Sequence, residues 1–494
     1  MAKDNLFELI NSLTQSEKRY FKLFSQRHNS TGDSNYYKLF EVILKQKTYD
    51  EATVKLKLKN EISSKTFPVE KNYLYNLIIK SLVHHHQDAN ISFKIRNLLT
   101  SIEILYGKEL TNQAIKRLRK VESLAHTHHK YEQLLEIYNW KIKLLFASLS
   151  ENGISDEIFD IIDLKKKAIQ KIENSSKVEP FYHYVYKTIS HSGKSRNKIT
   201  KEIISEIKAA TKFVNENETS LESKINTYIS VGLIHYYYGN YQMFFDNAEA
   251  CLHLIQENPV FEKENPFKTI HVINNYATGC MYLKNEKEFV KTLTLFNSIS
   301  RNSKNKAVRT KSLRSYYINA TNYYIKTYEV KKALLYSEEF LKLIQQNKIE
   351  LDDGYKSAFF YDCSCIYFYN NRLKESLRLL NDFFDLKVSV RTDIQSAAKI
   401  LNMIIHYELK NFNHLEYILI TTQRAIRKID NYYEFESRII ELFTKLINSG
   451  NKKETVEIFK AFKADLVFIR LAPKEKKALE HFNYEAWVNN KLKE

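Results

Sequence analysis

Glycine and proline are both scarce in this chain. Its 494 residues include 9 glycines and 5 prolines, whereas the two together make up about 12% of an average protein. Turn-rich β-sandwiches and barrels, glycine-loop nucleotide folds and proline-rich disordered segments all need these residues at many positions. The hydrophobic fraction of 44% is nevertheless sufficient for a packed core. The composition therefore predicts an all-α protein.

Long apolar runs and a cysteine framework are also missing. The N-terminal sequence MAKDNLFELINS has no apolar stretch with a cleavage site, which argues against a signal peptide. No run approaches the roughly 18 uninterrupted apolar residues that span a bilayer. The four cysteines, Cys251, Cys280, Cys363 and Cys365, are too few for a disulfide framework in a chain of this length. We therefore expect a cytoplasmic protein with reduced thiols and no contact with membranes.

The common local motifs of enzymes are absent as well. The sequence contains no phosphate-binding glycine loop, no HExxH zinc motif and no GxSxG nucleophile elbow. Cys363 and Cys365 form a CxC pair, which lacks the spacing of a zinc site. Histidines at 84–86 and near 126 are expected at solvated helix ends, where imidazole interacts favourably with the helix dipole. We predict no catalytic residue, no bound metal and no cofactor; an enzyme would need a site assembled from distant helices.

Positive charge is concentrated in one stretch of the chain. Lys and Arg outnumber Asp and Glu by 76 to 58, which gives a net charge of +18, and no acidic residue occurs between Glu288 and Glu329. This stretch contains a predicted basic patch, formed by Arg301, Lys304, Lys306, Arg309, Lys311 and Arg314. Such a patch attracts acidic proteins or nucleic acid. The alternatives are a solvated loop and a lysine-rich composition inherited from an AT-rich genome.

Residues 226–259 have the pattern of a helical hairpin. Gly232 lies in the first predicted helix, a turn follows at Gly239, Ala248 lies in the second helix, and Pro259 stops that helix. Large, small and aromatic residues at these offsets resemble a tetratricopeptide repeat, whose two antiparallel helices cross at small residues. The resemblance implies that the chain is built from such helix pairs.

Similar hairpins can be placed along most of the chain. Their predicted turns, spaced by 39 to 46 residues, lie near Lys108, Asn152, Gly193, Gly239, Lys284, Tyr328, Asn371, Lys410 and Gly450. Several glycines fall at or beside these turns, where a positive φ is expected. Pro180, Pro259 and Pro266 are expected between hairpins, because proline can begin or end a helix but not continue one.

The resemblance implies a right-handed α-solenoid of about nine tetratricopeptide-like helix pairs over residues 95–470. The resemblance implies a bacterial protein of this general type and does not point to a narrower family. Residues 1–90 are expected to form an N-terminal helical module, in which Thr14 or Ser16 caps the second helix. Residues 471–494 are expected to form a capping helix, which a solenoid needs to close its last apolar face.

Some positions of the first helices are expected to face the concave groove where solenoids hold their partners. These groove candidates are Asn226, Tyr236, Asn274, Asn322, Tyr361 and Tyr407. An asparagine amide offers a donor and an acceptor together, which suits a peptide backbone. The alternative is that asparagine is merely common in this chain.

Two hypotheses for function follow. The first is a non-enzymatic scaffold whose groove binds a protein or peptide. The second is a regulator, similar in layout to bacterial peptide-responsive regulators, whose residues 1–90 bind nucleic acid while the solenoid senses a ligand. In the second case the helix at 67–83 would enter the DNA groove, but its only basic residues are Lys71 and Lys80, and base edges are contacted by Arg, Lys, Asn or Gln. The oligomeric state is left open.

Overall fold

The computed structural model confirms the all-α class. It describes residues 4–27, 35–87, 90–148, 156–192, 205, 209, 212–213, 219–346, 348–386, 392–427, 433–471, 475–479 and 481–493. Within these ranges the regular secondary structure is helical and includes no strand. The chain divides into two compact units, Met1–Glu173 and Asn174–Glu494.

The first unit packs its helices around two hydrophobic clusters. Its helices are α1 (Asn5–Ser12), α2 (Gln15–Arg27), α3 (Asn35–Leu44), α4 (Glu51–Lys57), α5 (Phe67–His85), α6 (Ile91–Gly107), α7 (Thr111–Thr127) and α8 (Tyr131–Ser148). Helix α9 (Glu157–Ser192) begins in this unit and ends in the second. Phe21 and Leu39 lie in the core formed by α1 to α5, and Ile102 and Tyr138 lie in that formed by α6 to α9.

Short polar side chains begin the N-terminal helices. Thr14 is the capping residue of α2: its hydroxyl accepts from the Glu17 amide at 3.3 Å, and the Glu17 carboxylate accepts from the Thr14 amide at 2.6 Å. This reciprocal pair is a capping box, which satisfies two amides that the helix leaves unpaired. Asp4 and Asp50 cap α1 and α4, and Pro68 lies in the first turn of α5.

The second unit contains six consecutive helix pairs among its described residues. The first helices of the pairs are α10 (Leu221–Tyr237), α13 (Pro266–Leu283), α15 (Lys306–Lys326), α17 (Asp353–Tyr369), α19 (Thr392–Glu408) and α21 (Glu434–Ile447). The second helices are α11 (Tyr241–Gln256), α14 (Glu286–Asn302), α16 (Val330–Gln345), α18 (Leu373–Phe384), α20 (Phe412–Ile426) and α22 (Lys452–Leu471). The second unit also contains three short helices, α12 (Pro259–Glu264), α23 (Lys476–Leu479) and α24 (Tyr484–Lys491).

Five of the predicted turns in the second unit have the same backbone geometry, which the turn predicted near Lys108 also has, at Glu109. In the second unit the left-handed residues, with φ between 55° and 75°, are Gly239, Lys284, Tyr328, Asn371 and Lys410. In each turn the next amide donates to the carbonyl five residues earlier at 2.9 Å, as Asn285 does to Cys280. This bond closes the end of the first helix in a Schellman motif, and its recurrence confirms the predicted placement of these turns.

The expectation that glycine supplies the positive φ holds only at Gly239. In the second unit the other four residues with this geometry carry side chains, at a cost of about 1–2 kcal/mol each, and the repeated backbone bonds offset that cost. Gly107 and Gly450 do not have a positive φ. The predicted turns near Asn152 and Gly193 lie outside the described residues.

The predicted break at Pro180 is wrong. Helix α9 runs for 36 residues with Pro180 inside it. A proline removes one backbone donor from a helix and usually kinks it without abolishing it, so a long helix can retain the residue. Pro259 and Pro266 behave as predicted, because each lies in the first turn of a new helix.

Small residues lie where the helices of the second unit cross. A β-carbon added to Gly279 would lie 3.0 Å from both Cα and Cβ of Phe245. Between α17 and α18, the hydroxyl of Ser364 donates to the Ser376 carbonyl at 2.9 Å, and that of Ser376 donates to the Ser364 carbonyl at 2.7 Å. Successive first helices also contact one another from α13 to α21. This packing is compatible with a helical repeat; the handedness and the boundaries near residues 90 and 471 stay predictions.

Candidate functional site

The six groove candidates fall on one side of the first helices. Asn274 and Tyr361 each precede the left-handed residue of their turn by ten positions, and Tyr236 and Tyr407 precede theirs by three. Asn322 precedes its left-handed residue by six positions and Asn226 by 13, so the six distances fit one helical spacing of three to four residues. We call this side the first-helix face. It is defined by Asn226, Tyr236, Asn274, Asn322, Tyr361 and Tyr407.

Polar side chains join neighbouring helices across this face. Lys268 of α13 donates to Glu222 and Asn226 of α10, at 2.6 and 2.8 Å. Asn274 of α13 donates to the Ser315 hydroxyl of α15 at 3.1 Å. The amide of Asn319 on α15 donates in return to the Asn274 side-chain oxygen at 2.7 Å. These contacts hold the polar groups of three first helices in fixed positions, while Asn322 is half-buried on α15.

Two residues of the basic patch belong to the same face. The Lys311 ammonium lies 5.1 Å from the centre of the Phe267 ring, and the Arg314 guanidinium lies 4.0 Å from the centre of the Tyr355 ring. Both distances are within the range of a cation–π contact. Arg314 also lies 3.9 Å from the Asp352 carboxylate.

The charges at this place influence one another. Burial, together with the nearby Arg314 guanidinium, lowers the pKa of Lys311. Burial also lowers the pKa of His271 to about 4, with smaller contributions from Lys311 and Lys268. A neighbouring positive charge acts in this direction because it disfavours a second cation. Lys268, Lys311 and Arg314 are the cations here, and His271 between them is uncharged near neutral pH because its pKa is lowered. These four residues are called the cationic cluster below.

The other four residues of the basic patch lie apart from this cluster. Arg301, Lys304, Lys306 and Arg309 are exposed where α14 ends and α15 begins. Arg309 donates to the carbonyls of Ser303 and Lys304, both at 3.2 Å. At least one member of the predicted patch therefore stabilises the loop itself, and the structure separates the patch into a loop part and a face part.

The C-terminal segment, residues 481–491, covers the first-helix face at α17 and α19. The Tyr361 hydroxyl donates to the His481 carbonyl at 3.0 Å, and the Asn483 amide donates to the Tyr369 hydroxyl at 2.8 Å. The Tyr407 ring centre lies 6.3 Å from that of Trp487. Tyr361 is only 2% exposed. Two of the six groove candidates therefore contact the chain's own C-terminal segment.

The carboxylate of Glu408 fixes this segment by two charge-assisted bonds. It accepts from the Trp487 indole nitrogen at 2.6 Å and from the Lys491 ammonium at 2.8 Å. Hydrogen bonds with one charged partner are worth about 1.5–3 kcal/mol. The Trp487 ring also packs against Phe443 and Phe459, with ring centres 6.0 and 5.5 Å away. The segment is thus held by both an aromatic anchor and electrostatics.

A cluster of tyrosines occupies the face near the first two turns. The Tyr236 hydroxyl lies 3.2 Å from that of Tyr282, and the Tyr241 ring stacks on Tyr282 with centres 3.9 Å apart. The Lys326 ammonium lies 3.4 Å from the centre of the Tyr282 ring. Tyr282, Lys326, Lys268 and His271 were not among the residues predicted from the sequence. Their distances from the next left-handed residue were the available signal: two positions for Tyr282 and Lys326, 13 for His271 and 16 for Lys268, each equal to that of a groove candidate or three to four positions from one.

The cysteine thiols are packing groups in this structure. All four are free and buried. Burial raises the pKa of Cys251 and Cys280 to about 12, and it raises the pKa of Cys363 and Cys365 as well. A thiol is nucleophilic as its thiolate, so these groups are protonated near neutral pH. In the part of the chain that the structure describes, no three His, Cys, Asp or Glu side chains are grouped to hold a metal ion.

Lys71, one of two cations on the helix considered for DNA binding, is used inside the first unit. Its ammonium pairs with Asp4 and, at 3.1 Å, with Glu51, and it lies 4.9 Å from the centre of the Tyr49 ring. Burial acts to lower the pKa of Lys71, but the bonds to Asp4, Tyr49 and Glu51 raise it overall. Lys71 therefore ties α1, α4 and α5 together.

No protein-family model matches the sequence, and no curated protein matches it. Among the described helices, none is both long and apolar enough to cross a membrane. The first-helix face is consequently interpreted from its own chemistry.

Proposed function

We propose that this protein is a non-enzymatic scaffold that binds a protein or peptide on the first-helix face. The proposal includes a tetratricopeptide-like, right-handed solenoid over residues 95–470, whose concave surface is that face. Stacked helix pairs of this kind create extended surfaces that suit segments of other proteins.

The observation that supports the proposal most strongly is the position of the C-terminal segment. This segment lies on α17 and α19 through Trp487, backbone bonds to tyrosine hydroxyls and the carboxylate of Glu408. A surface that holds one segment by aromatic packing and charge-assisted bonds has the chemistry to hold another. The same side of α10, α13 and α15 carries asparagines, tyrosines and the cationic cluster.

The regulator hypothesis receives less support. A DNA-contacting helix exposes basic or amide side chains to base edges, but Lys71 of α5 is paired with Asp4 and Glu51. Val69 and Val83 of the same helix are 69% and 63% exposed. A surface of this composition favours contact with apolar groups over contact with a phosphate backbone.

A pull-down of the tagged full-length chain tests the scaffold proposal. The protein is recovered from its native cell extract with and without nuclease, as wild type and as Tyr355→Glu, which alters an exposed residue of the face. Leu335→Glu, at a residue of α16 that is 56% exposed, is the matched control. We expect a stoichiometric protein partner that survives nuclease and is lost only with Tyr355→Glu. Partners that disappear after nuclease treatment would support the regulator hypothesis instead.

A further inference from the structure

We propose that the cationic cluster is a binding site for a short acidic segment of a partner protein, with Lys311 as its central cation. The inference rests on the proposed scaffold function and adds the chemical class of the ligand. The cluster consists of Lys268, His271, Lys311 and Arg314, on α13 and α15.

The three permanent cations of the cluster are unequally paired. Lys268 has Glu222 at 2.6 Å, and Arg314 has Asp352 at 3.9 Å. Among the residues that the structure describes, no carboxylate pairs with the Lys311 ammonium, whose closest recorded partner is the Phe267 ring. A half-buried cation without an anion is costly. A carboxylate supplied by another molecule would remove that cost.

The cluster is surrounded by a polar side-chain pair and by two exposed aromatic rings. Asn274 and Ser315 lie beside it and are joined by a bond of 3.1 Å between α13 and α15. Phe267 and Tyr355, which lie against the two cations, are 43% and 45% exposed. The site therefore combines positive charge with accessible ring surface, on two helices that the bond between Asn274 and Ser315 joins. A peptide with acidic and apolar side chains complements both.

The carboxylates on either side of the cluster favour a short acidic peptide over nucleic acid. Glu222 and Asp352 flank the cluster, and their side chains are 57% and 64% exposed. A nucleic-acid strand carries a charge at every phosphate, so its extension past the cluster would bring phosphates close to these carboxylates. A peptide can place its acidic residues at the centre and neutral residues at both sides.

Fluorescence anisotropy with the full-length protein tests the inference. The probes are a short labelled peptide rich in Glu and Leu, its twin with Gln in place of Glu, and an oligothymidylate of similar length. The variants are Lys311→Gln, Lys311→Arg, Glu222→Gln and, as a control for net charge alone, Lys304→Gln in the exposed loop. Circular dichroism verifies that each variant keeps its helical content.

The expected result is tight binding of the acidic peptide only, weakened by added salt. Lys311→Gln should weaken binding of the acidic peptide about tenfold, because one charge-assisted bond is lost. Lys311→Arg and Lys304→Gln should bind the peptide as the wild type does. Glu222→Gln should strengthen binding severalfold, because Lys268 loses its internal anion. Equal affinity for the neutral twin, preference for the oligothymidylate or an unaffected Lys311→Gln variant would each overturn the inference. A partner that the wild-type chain recovers from the extract would support the scaffold proposal even if the acidic peptide does not bind, so failure of the inference and failure of the scaffold proposal are distinguishable.

Discussion

The hydroxyl group of Tyr361 donates a hydrogen bond of 3.0 Å to the backbone carbonyl of His481, 120 residues further along the chain. This contact places the C-terminal segment on the first-helix face. Beside it, the Cys365 thiol lies 3.9 Å from the same carbonyl. The face is therefore divided into a part that the chain itself covers, at α17 and α19, and a part at α10 to α15 that carries the cationic cluster.

Removal of this hydroxyl should loosen the segment. Tyr361→Phe keeps the ring but leaves the His481 carbonyl without its strongest donor, at a cost of about 1 kcal/mol. We expect faster hydrogen exchange of the Asn483 and Trp487 amides in the variant, measured by mass spectrometry on peptides that contain them. Tyr355→Phe, at an exposed ring on the same helix, should exchange as wild type does. Unchanged exchange in Tyr361→Phe would mean that the hydroxyl does not hold the segment.

A methyl group at Gly279 should destabilise the second unit. The added β-carbon would lie 3.0 Å from backbone and side-chain carbons of Phe245, which forces α11 and α13 apart. Overpacking of this kind costs about 1–3 kcal/mol. Gly232→Ala is the matched control, because its nearest contact would be an ordinary 3.4 Å to Asn247. Urea unfolding followed by circular dichroism compares them; equal midpoints would contradict the close crossing.

The pKa of His271, lowered to about 4 in the native protein, should make stability fall in acid. Below the usual pKa of about 6.5 the unfolded chain binds a proton at this residue and the native protein does not. The free energy of unfolding should therefore decrease as the pH falls from about 6.5 to about 4, by up to about 3 kcal/mol. His271→Gln should flatten this dependence in urea titrations at several pH values. A pH dependence in His271→Gln equal to that of the wild type would refute the assignment.

The four thiols should resist modification in the native protein. Each is buried, and burial raises the pKa of each, so the reactive thiolate is a minor species at neutral pH. Ellman's reagent should modify no thiol rapidly in buffer and all four in denaturant. Rapid modification of one thiol in the native protein would identify a reactive cysteine and favour a catalytic role.

The sequence predicted the turns of the second unit because they depend on local patterns. Tyr328, Asn371 and Lys410 were placed by the spacing of helices, and all three adopt the left-handed geometry. Glycine positions predicted the left-handed residues less well, because a Schellman bond stabilises the same geometry for other residues. Pro180 was misplaced because the tolerance of a long helix for one proline depends on its whole length and packing.

The candidate site was less predictable. Helical spacing was sufficient to put Asn226 and Asn274 on one face, but their hydrogen bonds with Lys268 and Asn319 join separate helices and depend on how the pairs stack. The contact of Tyr361 with His481 joins residues 120 positions apart, and no local sequence pattern predicts it. Lys311 and Arg314 were recognised as basic, but their separation from the other four patch residues required the structure.

Site-specific photo-crosslinking in the native cell tests the central claim most directly. A photoreactive phenylalanine derivative replaces Tyr355 on the first-helix face or, in the matched control, Leu335 on the second helix α16; both positions are exposed. The scaffold account predicts a crosslinked protein from position 355 that resists nuclease, with no equivalent product from position 335. Crosslinks from position 335 alone, or to nucleic acid from position 355, would contradict the account.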